Sequence, residues 1–338
     1  MNFSNYKEIS EKLRSCGNIV ISTHKTPDGD TIGSALGLYY FLKTININAH
    51  LIGIDEAPEF LSWMPGYVNI VNYSKKPEKV KQLIDNAELI VHVDYNAYHR
   101  VGEDVEELFK NADAKDVMID HHPNPQEGFE AYISDVSACS TAQLVYNLIV
   151  FMSGSSKLNT NTAIGLYVGL ITDTGSFSYG MIDEKPYLMA ADLVKSGIDD
   201  KWIHQQVYSS NTYDRLRLLG YALSEKLMVI DDQWAYITLE SEELSRYHFQ
   251  AGDNEGLVNY ALSIKGIKAA VLMTEKDDLI RISFRSKDDI PINQIAQKYF
   301  DGGGHKNAAG GNSFKSMEET IDRLKLVMND FIKQYSND

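Results

Sequence analysis

Cysteine is scarce: Cys16 and Cys139 are the only two in 338 residues, far apart and in no CxxC pattern. That argues against a disulfide framework and a thiolate zinc site, and makes a reducing, cytoplasmic setting the expectation. Long apolar runs are lacking too, since the longest, such as AIGLYVGLI, fall well short of the ~18 residues that a membrane helix needs. The opening MNFSNYKEIS has no basic segment followed by an apolar one, so neither secretion nor membrane insertion is expected. Positive charge is in deficit, with 32 Lys and Arg against 47 Asp and Glu and a formal net charge of −15. Gripping long nucleic acid by an overall field needs broad positive surface, so that mode is disfavoured, while a small anionic ligand in a local pocket stays allowed. The chain has no internal repeat and no low-complexity tract.

What is present is an ordinary globular composition, 43% hydrophobic and 23% charged, in a chain long enough for two domains. Along the first half, short apolar runs alternate with helical patterns: NIVISTH then DTIGSALGLYYFLKTI, NAHLIGI then PEKVKQLIDNA, ELIVHVD, a further helical stretch, and DVMIDHH. This alternation marks βαβ units and a parallel sheet. From about 186 to 225 the pattern is wholly helical. Two hairpin-like pairs follow, LMVIDDQWAYITLE and KAAVLMTEKDDLIRISFRS, each turning on an Asp-containing tip, then a helix, a glycine cluster and the closing helix SMEETIDRLKLVMNDFIKQ. The expected fold is α/β: a parallel-sheet catalytic domain over 1–190, a helical connector over 191–225 and a smaller α+β domain over 226–338.

Polar residues fall where the apolar strand runs end. His24, Asp94 and Asp120-His121 each take such a place, and in open parallel sheets ligands gather there. In STHKTPDGDTIGS, Pro27 and Gly29 allow a turn sharp enough to aim Asp28 and Asp30 at one point, and Asp30 also suits a helix N-cap. Asp173 closes the apolar helical stretch GLYVGLITD, where a carboxylate opposes the helix dipole and a nearby cation offsets the cost. The candidate ligands are therefore His24, Asp28, Asp30, Asp94, His121 and Asp173. Oxygen-rich sites with one or two imidazoles favour Mn²⁺ or Mg²⁺, and this set is too large for one ion but suits two that share a carboxylate.

These residues also carry a family resemblance. HKTPDGDTIGS, Asp94, DHH at 120–122 and LITDTGSF resemble, in order and spacing, the four motifs of the DHH phosphoesterase superfamily, which includes RecJ-type exonucleases. FDGGGHKNAAGG resembles the signature of the DHH-associated domain of the first type, and SFRS at 283–286 resembles its substrate-binding strand. In layout the chain is most similar to the NrnA-type branch.

The resemblance implies hydrolysis of short oligoribonucleotides to mononucleotides, and of 3′-phosphoadenosine 5′-phosphate (pAp) to AMP, by a water activated between two divalent ions in an inter-domain cleft. Mn²⁺ is the expected ion and Mg²⁺ the alternative. Asp94 would bridge the ions, His121 would be a ligand and His122 a contact to the scissile phosphate. Asp120 would support from behind, as a carboxylate that orients the ligating imidazole. Gly302, Gly303 and Gly304 would let backbone N–H groups approach a phosphate, with donors added by His305 and Lys306. Arg285, next to Ser286 in the substrate-binding strand, would pair with a phosphate bidentately, as Lys cannot. Long nucleic acid and membranes are not expected partners, and a homodimer is left open. Linear or cyclic dinucleotides and polyphosphate are the competing substrates, and a non-catalytic nucleotide-binding module is the competing class. Arg100 is open between substrate contact and surface pair, while His92, His99 and His204 are read as structural.

Overall fold

A computed structural model describes residues 3–155, 158–178, 182–250, 252–276 and 279–335. The chain divides into two compact units, Met1–Ser210 and Asn211–Asp338. The boundary falls inside the helical stretch 191–225.

The first unit holds strands β1 (Ile19–Ser22), β2 (Ala49–Gly53), β3 (Ile70–Asn72), β4 (Leu89–Val93), β5 (Lys115–Asp120) and β6 (Ala131–Ser134). They form one sheet in the order β3-β2-β1-β4-β5-β6, with every neighbouring pair parallel. Its helices are α1 (Phe3–Ser15), α2 (Gly29–Thr44), α3 (Pro77–Asp85), α4 (Glu103–Lys110), α5 (Thr141–Ser153), α6 (Thr160–Asp173), α7 (Glu184–Lys195) and α8 (Asp200–Tyr208). Both faces of the sheet are covered. Ile19, Ile21, Val91 and Ile119 pack with α1, α2, α5 and α6, whereas Val20, Ile90 and Met118 pack with α3 and α4. A sheet buried on both faces has to read as continuous apolar runs, and this is why NIVIS and ELIVHV do not alternate. The short strands β3 and β6 carry too few apolar residues to stand out in sequence.

The second unit contains α9 (Tyr213–Tyr221), β7 (Leu227–Ile230), β8 (Trp234–Leu239), α10 (Ser241–Arg246), α11 (Leu257–Ser263), β9 (Ala269–Lys276), β10 (Leu279–Ser286), α12 (Asn293–Tyr299), β11 (Gly303–His305), β12 (Ala308–Ser313) and α13 (Met317–Gln334). The sheet order is β11-β12-β10-β9-β8-β7, antiparallel except for the parallel pair β8–β9. The first hairpin has a three-residue connection, Asp231 to Gln233, between the paired Ile230 and Trp234; Asp231 and Asp232 both take left-handed backbone (φ 49° and 55°), and the Gln233 amide donates to Ile230 O at 3.0 Å. The expected tip of the second, at Asp277-Asp278, lies outside the described residues.

Candidate metal centre

The strand order reverses between β1 and β4, and parallel sheets of this type bind ligands beyond the carboxyl ends at that point. Register sets which residues arrive there. Ser22 pairs with His92, and His92 with Met118, so these three lie level across β1, β4 and β5. Two residues further along each chain come His24, Asp94 and Asp120. Asp94 adopts a left-handed backbone with φ 67°, which turns the chain as it leaves β4. A non-glycine residue held there stores local strain of a kind common at functional sites.

Helices bring the remaining groups. Asp28 is the N-cap of α2, its carboxylate accepting from the Thr31 amide at 3.0 Å. The cap is thus Asp28 and not Asp30. Asp30 sits inside the first turn, fully buried, and accepts from the amides of Thr141 and Ala142 at 2.6 and 2.9 Å. The N-terminus of α5 claims its carboxylate, so it cannot also cap its own helix. Asp173 is the last residue of α6, and α6 is held against α2 by glycines: a Cβ on Gly33 would sit 2.4 Å from Gly165 O, and one on Gly169 would sit 2.8 Å from Asp30 Oδ1. Only bare backbone lets the helices approach so closely, and this approach puts Asp30 and Asp173 at one site.

Among the described residues, the donor atoms of His24, Asp28 and Asp94 lie within 4.8 Å of one another, and so do those of Asp30, Asp94 and His121. Asp94 belongs to both groups through different oxygens: His24 Nε2 is 3.6 Å from Oδ2 and His121 Nε2 is 3.8 Å from Oδ1. His121 Nε2 also lies 3.9 Å from Asp30 and 3.6 Å from Asp173. On both imidazoles Nδ1 faces a backbone carbonyl, Lys25 O at 2.8 Å and Ala138 O at 3.3 Å. A carbonyl only accepts, so Nδ1 carries the proton and Nε2 is the position that takes either a proton or a metal ion. The donor set fits hard divalent ions. The thiol of Cys139 is pushed up to about 12 by burial, with Asp30 and Asp173 adding to the rise.

Crowding of charge leaves its mark. Burial raises the Asp30 carboxyl well above the usual range, and Asp94, Asp173 and Asp28 add to this. Asp173 is pushed up to about 6 by burial and by Asp28 and Asp94, against the pull of His121. For Asp94 burial acts upward, but its hydrogen bond with His24 and the charges of His122, His121 and His24 outweigh it and hold the carboxyl well below the usual range. Asp94 thus stays ionised in the middle, while Asp30 and Asp173 take up protons more readily than ordinary carboxylates, and a cation bound there would compete with those protons.

Asp120 differs from the expectation. Its Oδ1 accepts from His122 Nδ1 at 2.7 Å and its Oδ2 from the His122 amide at 3.0 Å, so it orients His122, while Ala138 O orients His121. Burial would lower the His122 imidazole, yet Asp120 and then Asp94 raise it to about 9 despite the opposing charge of Arg100. Arg100 is therefore near enough to act on His122. Its carbonyl also accepts from the Lys25 amide at 2.9 Å, tying together the loops after β1 and β4. His92 is buried against Tyr95, Tyr98, Phe109 and Phe129, His204 meets Ser176 at 2.9 Å, and His99 is exposed.

In the second unit, Arg285 lies on β10, and Gly303 and Gly304 of the glycine run lie on the edge strand β11, paired with β12. Gly302 and Gly304 have to be glycine because a Cβ would strike Gly310 O at 2.0 Å and Ala308 O at 2.6 Å; Gly303 has room. Ser286 is buried, and its hydroxyl donates to Ile290 O at 2.7 Å and accepts from Asn307 at 3.0 Å, so it braces the strand end rather than offering its hydroxyl to a ligand. Lys306 pairs with Asp289. Sequence reasoning missed Thr31 and Thr141. The Thr31 hydroxyl lies 2.6 Å from both His24 Nε2 and Asp94 Oδ2, and the Thr141 hydroxyl donates to Asp94 Oδ1 at 2.8 Å. The only signal was a hydroxyl in the first turn of a helix that begins beside the strand ends.

The parallel sheet with its carboxylate–imidazole cluster and the second, mixed-sheet unit coincide with two family domains, and that match makes the chain a hydrolase of the phosphoesterase class. The chain belongs to the DHH family: the DHH family N-terminal domain matches residues 18–170 and the DHHA1 domain residues 233–334. It is 27% identical over 320 residues to the bifunctional oligoribonuclease and PAP phosphatase NrnA of Bacillus subtilis, covering 94% of this chain and 95% of that one. The NrnA of Thermus thermophilus is 28% identical over 305 residues, covering 89% and 86%. Among solved structures, an exopolyphosphatase-related protein from Bacteroides fragilis superposes with a TM-score of 0.92 at 34% identity, covering 98% and 97%. No helix among the described residues is long and apolar enough to cross a membrane.

Proposed function

We propose that this chain is a cytoplasmic phosphoesterase that uses two divalent ions, Mn²⁺ foremost, to hydrolyse short oligoribonucleotides to mononucleotides and pAp to AMP. The observation that carries the two-ion reading is the sharing of Asp94, one oxygen toward each donor group. His24, Asp28 and Asp94 would hold one ion; Asp30, Asp94, His121 and Asp173 would hold the other. When bound, such a pair supplies a water acidified to near neutral pH and positive charge against the phosphoryl oxygens.

The chain's own residues do the rest. His122, held protonated by Asp120, donates to a phosphoryl oxygen as charge builds there. Arg285, His305 and the backbone of β11 grip a second phosphate, which orients the substrate for attack. The acidic body repels long polyanions, which favours short substrates. The oligoribonuclease and PAP phosphatase relatives support this substrate class. The exopolyphosphatase-related neighbour makes polyphosphate the competitor to test. The experiment is a panel of pAp, di- to pentaribonucleotides, long RNA, cyclic dinucleotides and polyphosphate with Mn²⁺ and with Mg²⁺. Turnover should be highest on pAp and the shortest RNAs, and a clear preference for polyphosphate or cyclic dinucleotides would replace the assignment.

A further inference from the structure

Thr141 is the first residue of α5 and is fully buried. Ser140 before it is the N-cap, accepting from the Gln143 amide at 3.2 Å, so the local helix start is satisfied without the Thr141 side chain. That side chain is committed elsewhere. Its hydroxyl donates to Asp94 Oδ1 at 2.8 Å while its amide donates to Asp30 Oδ2 at 2.6 Å. One residue thus touches a carboxylate from α2 and another from the end of β4. A buried hydroxyl must find an acceptor, and this one reaches across to a different element to do so.

We propose that Thr141 is a positioning residue: it fixes the spacing between Asp30 and Asp94 and aims Asp94 at both ion sites. The inference rests on the two-ion reading above. Each carboxylate oxygen has two lone-pair directions. Thr141 takes one on Oδ1, and the Thr31 hydroxyl, 2.6 Å away, takes one on Oδ2. One direction per oxygen remains, and His121 and His24 stand 3.8 and 3.6 Å from those same oxygens. Two threonines thereby hold a single carboxylate in the posture in which it serves two ions at once. Without the Thr141 hydroxyl, Oδ1 loses the donor that fixes it, and only the Thr31 contact on Oδ2 is left to set the orientation of Asp94.

Thr141→Val keeps the shape and the amide but deletes the hydroxyl, and Thr141→Ser keeps the hydroxyl. The two variants and the parent chain, stripped of metal, are titrated with Mn²⁺, with free ion and exchange-coupled pairs followed by paramagnetic resonance and kcat and KM for pAp measured in parallel. The valine variant should fold, bind its second ion about 10- to 100-fold more weakly, lose the coupled signal and fall mainly in kcat; serine should restore all of these. Native affinity and coupling in the valine variant overturn the proposal. Equal losses in both variants also overturn it, because they assign Thr141 to packing. A parent chain that binds no Mn²⁺ pair sinks the two-ion reading itself, and that outcome is visible before any substitution.

Discussion

Replacing Gly33 with Ala tests whether helix packing sets the metal centre. The new Cβ would lie 2.4 Å from Gly165 O and 2.6 Å from Gly169 N, where ordinary contact begins at 3.4 Å. Both obstacles are backbone atoms that no rotamer change can move aside, so α2 and α6 must part by about 1 Å, the difference between 3.4 and 2.4 Å. Asp30 rides on α2 and Asp173 ends α6, so the same displacement enters the cluster. Overpacking of this kind costs ~1–3 kcal/mol, and the better helix propensity of Ala returns up to ~1 kcal/mol. The net loss, on the order of 1–2 kcal/mol, should lower Tm by about 2–8 °C. Activity should fall further than stability, because a misplacement of about 1 Å can cost about 10²-fold in rate. The assay is thermal unfolding, Mn²⁺ titration and phosphate release from pAp, with Gly220→Ala as control, since nothing lies within 4 Å of a Cβ there. If Gly33→Ala kept native Tm, Mn²⁺ affinity and kcat, the close approach of α2 and α6 would not be what assembles the site.

Three further outcomes are expected. Asp173 is pushed up to about 6 and Asp30 is raised as well, so the folded metal-free protein holds protons that the unfolded chain releases near its ordinary value of ~3.9. Stability without metal should therefore decline as pH rises between about 4 and 6, and Mn²⁺ affinity should weaken as pH falls through about 6 with protons released on binding; calorimetry in buffers of different ionisation enthalpy reads this, and a pH-independent affinity speaks against it. His122 is raised to about 9, so its pair with Asp120 contributes stability that is full below ~6.5 and lost as pH rises through about 9. Asp120→Asn should lower kcat by about 10²-fold or more and move the alkaline limb of the activity profile toward neutral pH; an unmoved limb would detach His122 from the chemistry. Arg285→Ala should raise KM for pAp about tenfold or more, the loss of a charged hydrogen bond worth ~1.5–3 kcal/mol, and leave a small chromogenic phosphodiester nearly unaffected; equal losses on both would make Arg285 structural.

Much of the fold was legible because a sheet buried on both faces writes itself as apolar runs, and a run's end marks where a polar residue meets the ligand-binding edge. His24, Asp94 and Asp120 could be placed on one edge for that reason, and the residues two positions before them, Ser22, His92 and Met118, lie level in the sheet. What sequence hid was orientation across elements. Nothing in DHH tells which imidazole Asp120 holds, because that depends on how the chain bends after β5. Asp30 suits the cap of α2 in sequence, and only the arrival of the α5 amides, from more than a hundred residues on, claims its carboxylate and leaves the cap to Asp28. The roles of Thr31 and Thr141 likewise exist only once three elements converge. Gly33 and Gly165 fall on faces that only the packed pair of helices reveals.

The central claim is a pair of ions organised by Asp94, and its most direct test is to add Mn²⁺ stepwise to the metal-stripped chain while counting bound ions and measuring phosphate release from pAp on the same samples. Two ions should bind per chain, with turnover negligible until the second is taken up and constant beyond it, and Asp94→Ala should abolish turnover at every Mn²⁺ level. Full turnover with a single ion bound, or an active Asp94→Ala chain, would contradict a two-ion centre built on this carboxylate.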